Sequence, residues 1–370
     1  MRVGVYYGMD LGAGTAGSQM YQEIAQQIRL ADERGIDTAW LGETHSTEGG
    51  CPSPQVMIPA IGTVTGAIRL GPLKILPLDQ QPVRIAEDFA QIDIELSGRL
   101  NFGIWEGNDP EAFRVHNQDM GARWERFQEV LEFILLAWTS DAFAYVGEHV
   151  SFPGTAEPPG GGARWERAPF TPPYCPQWEW GEHVPAHLAV TPKPLQTPRP
   201  PVYVYGWRQQ SIDFAAKHGH SIILSQLESQ SRIREKVASY RASLDAAGRS
   251  PSEVDIAVVR DVWVHEDADT ARLQVGHVLE DAFRKANADG SLAEAEDRSF
   301  SDRDLSYTAL AKDRFLIGAP RDVVDQIKTL QADTGINHLI CRIPYPGVST
   351  REVYDFIDTF EQYVHPMLHV

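Results

Sequence analysis

Two stretches, Thr38-Ala-Trp-Leu-Gly-Glu-Thr-His-Ser-Thr-Glu48 and Leu100-Asn-Phe-Gly-Ile-Trp-Glu-Gly-Asn-Asp109, share one plan. In each, a short apolar run is followed at once by carboxylates and other polar side chains. Between them the chain has room for a helix, a strand and a second helix. Short buried strands alternating with helices predict a parallel α/β sheet, and polar residues just past a strand's C-terminal end sit where (β/α)8 barrels keep their chemistry. Glu43, His45, Glu106 and Asp109 are therefore the first candidate functional residues.

The alternation extends in both directions. Residues 2–7 read as a first strand, and Ser18 is expected to cap a helix whose apolar positions Met20, Tyr21, Ile24, Ala25, Ile28 and Ala31 keep a 3.6-residue period. Pro52-Ser-Pro54 opens a helix through Val64, and residues 68–76 form a third strand interrupted at Gly71-Pro72. A helix over 83–96 leads through Ser97-Gly-Arg99 into the strand ending at Ile104. Residues 122–138 form an amphipathic helix with Arg123 and Arg126 near its start. Residues 146–201 keep no period and are rich in Pro, Gly and Trp. Within them the insertion 155–189 is expected to form a lid carrying Trp165, Trp178 and Trp180. Strands then follow at 202–205, 221–224, 255–264 and 337–342, each with a helix after it. A polar excursion through Asp304 and the run Phe315-Leu-Ile-Gly318 fall between the last two. Eight strand–helix units predict a single (β/α)8 TIM barrel over residues 1–370, with an insertion between strands four and five and an excursion after strand seven.

Composition narrows the function. The 370 residues are 42% hydrophobic and 23% charged, enough for a large core. Basic residues number 33 against 51 acidic ones, a net charge of −18 that disfavours nucleic acid and anionic membrane surfaces. The N-terminus reads as a strand rather than a leader peptide, and no apolar run reaches transmembrane length, so a cytoplasmic protein is expected. Cys51, Cys175 and Cys341 are too few and too scattered for a disulfide framework or a cysteine metal site. His183 and His187 are four apart but flank Pro185, which removes the helix a metal pair would need, so no metal is expected.

Gly206-Trp-Arg-Gln-Gln-Ser211 lies between a strand and a helix. Backbone N–H groups at a helix start, with a glycine, Arg208 and Ser211 beside them, suit a phosphate monoester; the alternative is an ordinary turn with a solvated arginine. Glu43 and Glu106 suit the acid and base of a barrel glycosidase, although sequence does not fix their separation. His45 reads equally as a base, a donor to an anion or a satisfied buried imidazole.

Trp40-Leu-Gly-Glu-Thr-His-Ser-Thr-Glu-Gly-Gly50, Leu76-Pro-Leu-Asp-Gln-Gln-Pro-Val-Arg-Ile-Ala-Glu-Asp88 with Ser97-Gly-Arg-Leu-Asn-Phe-Gly103, the run from Pro201 through Phe214-Ala-Ala-Lys-His-Gly219, and Gly318-Ala-Pro-Arg-Asp-Val323 with Thr334-Gly-Ile-Asn337 occur in one order over nearly the whole chain. Together they resemble the luciferase-like flavin monooxygenases. That resemblance implies a (β/α)8 fold, reduced FMN bound at the C-terminal face, O2 and a small organic substrate, a separate flavin reductase, and a homodimer. It puts Arg208 and Ser211, with Gly206 and Trp207, at the flavin phosphate, and Arg123 as a further contact. His45 matches the second histidine of the family's Glu-His-His strand end, whereas the first is Thr44 here. Trp105-Glu106 stands where luciferases have a small thiol residue and an arginine. The catalytic set implied is His45, Glu43 and Glu106. Two other functions fit the same resemblance: hydride transfer from a reduced deazaflavin coenzyme, and non-catalytic flavin binding.

Overall fold

The computed structural model describes residues 1–8, 17–45, 50–77, 80–152, 188–343 and 345–368. The chain forms two compact units. The first comprises residues 1–75, 99–105 and 201–370, and the second 76–98 and 106–200.

The first unit holds the barrel. Its strands are β1 (Arg2–Tyr7), β2 (Thr38–Leu41), β3 (Arg69–Pro72), β4 (Phe102–Ile104), β7 (Val202–Tyr205), β8 (Ser221–Leu224), β9 (Ile256–Val264), β10 (Phe315–Gly318) and β11 (His338–Arg342). They pair in parallel in the order β3-β2-β1-β11-β9-β8-β7-β4, and β10 lies alongside β9. Parallel bridges Leu70–Leu100 and Ile75–Ile104 bring β3 back to β4, so the eight-stranded ring predicted from the alternation is present. The run at Phe315 is an additional strand, registered on the C-terminal half of β9 from Asp261 to Val264.

Closing the ring requires two glycines. Leu70 donates to the Arg99 carbonyl, Asn101 to Leu70, Ile75 to Gly103 and Trp105 to Ile75, at 2.9–3.2 Å. A Cβ on Gly71 would lie 2.0 Å from the Asn101 oxygen, and one on Gly103 would lie 2.1 Å from the Leu73 oxygen. The regular strand β3 ends at Pro72, and pairing resumes beyond it through Leu73 to Leu41 and Ile75 to Gly103, so the Gly71-Pro72 pair interrupts a longer run as expected.

Side chains from strands on different sides of the ring fill it. Trp40 of β2 packs edge-on against Tyr203 of β7 at 4.9 Å, and its indole N–H donates to Thr38, which shares a 2.9 Å hydrogen bond with His338 of β11. Below them Tyr203 donates to Asp255, which also pairs with Arg2. The interior is thus a packed core, and chemistry is left to the strand ends.

Helices α1 (Gly17–Glu33), α2 (Pro54–Gly62), α6 (Gln209–His218), α7 (Gln230–Ala246), α8 (Ala268–Ala288), α11 (Pro320–Thr334) and α12 (Thr350–Tyr363) follow the strands in the chain. Ser18, expected as a cap, lies inside α1, which begins one residue earlier. Two short helices, α9 (Ser291–Glu296) and α10 (Tyr307–Leu310), occupy the excursion; their spans are too short to show a period in sequence.

The second unit holds α3 (Pro82–Glu95), α4 (Pro110–Val115), α5 (Arg123–Thr139) and a hairpin of β5 (Tyr145–Val146) and β6 (Ser151–Phe152), which the irregular composition did not announce. Trp138 of α5 donates to the Ala86 carbonyl of α3, and Phe133, Phe143 and Phe152 form an aromatic cluster. Residues 155–187 of the expected lid over 155–189, with its tryptophans, His183 and His187, lie outside the described residues, and Leu188 pairs with Phe143 in an antiparallel bridge. Among the described residues no helix is long and apolar enough to cross a membrane.

Gly103→Ala should lower unfolding stability by about 3 kcal/mol or more, because carbonyl backbone rather than a mobile side chain blocks the new methyl. Gly66→Ala, whose Cβ meets only Asp32 at 3.8 Å, should be near neutral. Equal urea midpoints for the two variants would contradict a seam closed by backbone contact.

Candidate active site at the strand C-termini

A cavity of about 730 Å³ opens at the C-terminal ends of the barrel strands. Tyr6 and Gly8 line it after β1, Glu43 and Thr44 after β2, Lys74 after β3, Gln226 after β8, and Arg342 and Tyr345 at β11. His277, Asp281 and Lys285 of α8 form another wall. Its size is that of a site for a cofactor or drug-sized ligand.

Glu43 and His45 leave β2 together. Oε1 of Glu43 lies 2.7 Å from Nε2 of His45, and both side chains are largely buried. The carboxylate fixes the ring and holds the proton of Nε2, which sets the tautomer of the imidazole. Thr44 between them donates to the Gly8 carbonyl at 3.3 Å and carries no such proton.

Beyond β3 and β4 the seam delivers Lys74 and Trp105. The Lys74 ammonium sits 3.9 Å above the Trp105 ring and 4.7 Å above that of Tyr205. Trp105 meets Tyr205 and Trp207 edge-on, while Tyr205 and Trp207 stack. The indole N–H groups of Trp105 and Trp207 are buried without an acceptor among the described residues. Of this aromatic group only Lys74 lines the cavity itself, and the two indole donors lie buried behind it.

The predicted phosphate loop follows β7. Arg208 is the N-cap of α6, in extended conformation, and Ser211 lies fully buried in the first turn. Lys236 of α7, itself buried, donates to the carbonyls of Gly206 at 2.9 Å and Trp207 at 2.8 Å, and pairs with the buried Glu228. With those carbonyls tied to Lys236 and the Ser211 N–H donated to the Arg208 carbonyl at 3.1 Å, the N–H groups of Gln209 and Gln210 at the helix start are what the loop can offer an anion. Arg208 donates through Nε and Nη2 to Glu294 of α9, at 3.1 and 2.5 Å. An anion at this turn would share Arg208 with that carboxylate.

The remaining sequence candidates belong to the second unit. Glu106 is buried there, Arg123 donates to the Met120 carbonyl at 2.7 Å, and Asp109 caps α4 by accepting from the Glu111 N–H. Sequence reading passed over Lys74, Arg342, Tyr6 and Lys236. Lys74 and Arg342 obey the rule that singled out Glu43, a polar residue closing a strand, but that rule was applied only after strands two and four. Lys236 sits mid-helix and gives no local signal.

The profile of the luciferase-like monooxygenases matches residues 1–174 and 176–338. The chain belongs to this family. The oxygenase component of the flavin-dependent trigonelline monooxygenase of Acinetobacter baylyi is 23% identical over 327 residues, covering 85% of this chain and 81% of that one. The oxygenating constituent of 3,6-diketocamphane monooxygenase from Pseudomonas putida, solved with FMN, superposes with a TM-score of 0.79 at 19% identity over 99% and 98% of the two chains. An F420-dependent secondary alcohol dehydrogenase also shares the fold, with a TM-score of 0.69 at 14% identity over 99% and 98%. The cavity lies at the face where the barrel strands end, the face at which (β/α)8 barrels keep their chemistry.

Lys236→Met should cost about 3–5 kcal/mol, since it leaves the Glu228 carboxylate buried without its cation. Lys236→Met with Glu228→Gln should recover most of that loss in chemical denaturation. A double variant as unstable as the single one would show that the ammonium matters only through the loop carbonyls.

Proposed function

We propose that this chain is the oxygenase of a flavin-dependent monooxygenase system. It uses reduced FMN, supplied by a separate reductase, and O2 to oxygenate a small organic substrate. The observation that carries the reading is the cavity at the strand C-termini, lined by Glu43, whose carboxylate is hydrogen-bonded to His45, in a chain of the luciferase-like family. When bound, reduced flavin supplies the electrons that activate O2.

The chain's residues divide the remaining work. Gly206, Trp207, Arg208 and Ser211, at the start of α6, would hold the phosphate, with their geometry set by Lys236. The aromatic cluster around Trp105 and Trp207 keeps water from one side of the site. His45, oriented by Glu43, would hold the proton that the reaction consumes or returns. Glu106 and Arg123 belong to the proposed set on sequence grounds alone. A deazaflavin-dependent hydride transfer is the competing reading, supported by the fold shared with an F420-dependent dehydrogenase and by Thr44 in the family's histidine position.

Wild-type protein should bind FMN more tightly than riboflavin. Arg208→Ala should weaken FMN by about 1.5–3 kcal/mol, the worth of a charge-assisted hydrogen bond, and leave riboflavin unchanged. Fluorescence titration of both flavins checks this, and equal affinity of the wild type for the two would remove the phosphate role from the loop.

A further inference from the structure

Arg342 is the last residue of β11, and its side chain lines the C-terminal cavity. It is anchored by one edge only. Nε donates to Oδ1 of Asp261 at 2.5 Å, and Asp261, on β9, is fully buried. The second oxygen of Asp261 has no hydrogen-bond partner among the described residues. The ring of Tyr345, whose hydroxyl donates to the Val262 carbonyl at 3.4 Å, lies 5.6 Å from the guanidinium carbon.

A structural arginine–carboxylate pair normally closes as a two-pronged fork. Here a single prong is used, and Nη1 and Nη2 of Arg342 donate to no protein atom among the described residues, although a fifth of the side chain, 22%, remains exposed. Burial lowers the pKa of the guanidinium, but Asp261 and Tyr345 outweigh that and raise it. Lys74, His277 and Lys285 line the same cavity, with Glu43 and Asp281 as its acidic members. Lys74 and Lys285 thus add two cations to this lining in a chain whose net charge is −18.

We propose that Arg342, held edge-on by Asp261, is the anion anchor of this cavity and takes a planar monoanion with two adjacent acceptor atoms. The guanidinium fork matches that geometry, which an ammonium does not. Two sources present it: the carboxylate of an organic-acid substrate, and the pyrimidine edge of an anionic reduced flavin. The second source rests on the flavin reading above, whereas the first does not.

Benzoate and its neutral isostere benzamide serve as probes, titrated into the full chain by calorimetry with and without FMN. Arg342→Met alone strands the buried Asp261 carboxylate, so Arg342→Met with Asp261→Asn is the working variant, and Arg342→Lys keeps the charge without the fork. For the substrate source, wild type binds benzoate about tenfold or more tightly than benzamide, and both variants lose that preference. For the flavin source, benzoate preference is absent and the midpoint potential of bound FMN moves negative in the double variant. Unchanged benzoate preference together with an unchanged potential overturns the anchor. If wild type shows the benzoate preference yet binds no FMN, the anchor stands and the flavin reading falls.

Discussion

The close backbone approach of β3 and β4 is the constraint from which the site follows. Four main-chain hydrogen bonds join strands whose facing positions must be glycine, because a methyl on either would meet a carbonyl at about 2 Å. That seam completes the ring, which leaves no edge strand between β3 and β4 to be covered. It also brings Lys74 and Trp105, which flank the Ile75–Ile104 bridge, close enough for ammonium and indole to touch. One wall of the cavity chemistry is thus a consequence of how the barrel closes.

The barrel carries an unusual load of buried charge near its C-terminal end. Lys236 and Glu228 are both buried, Asp261 is buried beneath Arg342, and Arg260 is buried with only a 3.3 Å bond from Nη1 to the Ser225 carbonyl. Ion pairs of this kind contribute little to stability compared with apolar packing of the same volume. Their positions explain their presence better than their energies do. Lys236 sets the carbonyls of the α6 loop, and Asp261 sets Arg342. The opposite end of the barrel shows the contrast. Burial would raise the Asp255 carboxyl, but His338, Tyr203 and Arg2 outweigh it and hold it down at about 2. Its Oδ2 accepts from both Arg2 and Tyr203.

Much of this was legible in the amino-acid sequence because it depends on local pattern. The strand ending at Leu41 and the one ending at Ile104 are short apolar runs between turn residues, and the positions of Glu43, His45 and Trp105 follow from where those runs stop. The α6 loop was visible for the same reason, through Gly206 and Arg208 at a strand–helix junction. What was hidden depends on contacts distant in the chain. Nothing near Lys236 says that its ammonium reaches Gly206 and Trp207, thirty residues earlier, and nothing near Arg208 announces Glu294. Arg342 closes a strand and was legible in place, but its one-edged anchoring on Asp261, eighty-one residues away, was not. The strand at Phe315 has only four residues, too few to distinguish it from a turn before it is paired with β9.

The central claim is that this cavity manages the reaction of reduced FMN with O2. Mixing the protein anaerobically with photoreduced FMN, admitting air, and following flavin absorbance and hydrogen peroxide together tests it most directly. The predicted result is that O2 is consumed in the protein-bound form and peroxide release lags behind it, compared with free reduced FMN. Reoxidation at the same rate with and without protein and no lag in peroxide, with reduced deazaflavin alone taken up and indifferent to air, would contradict it.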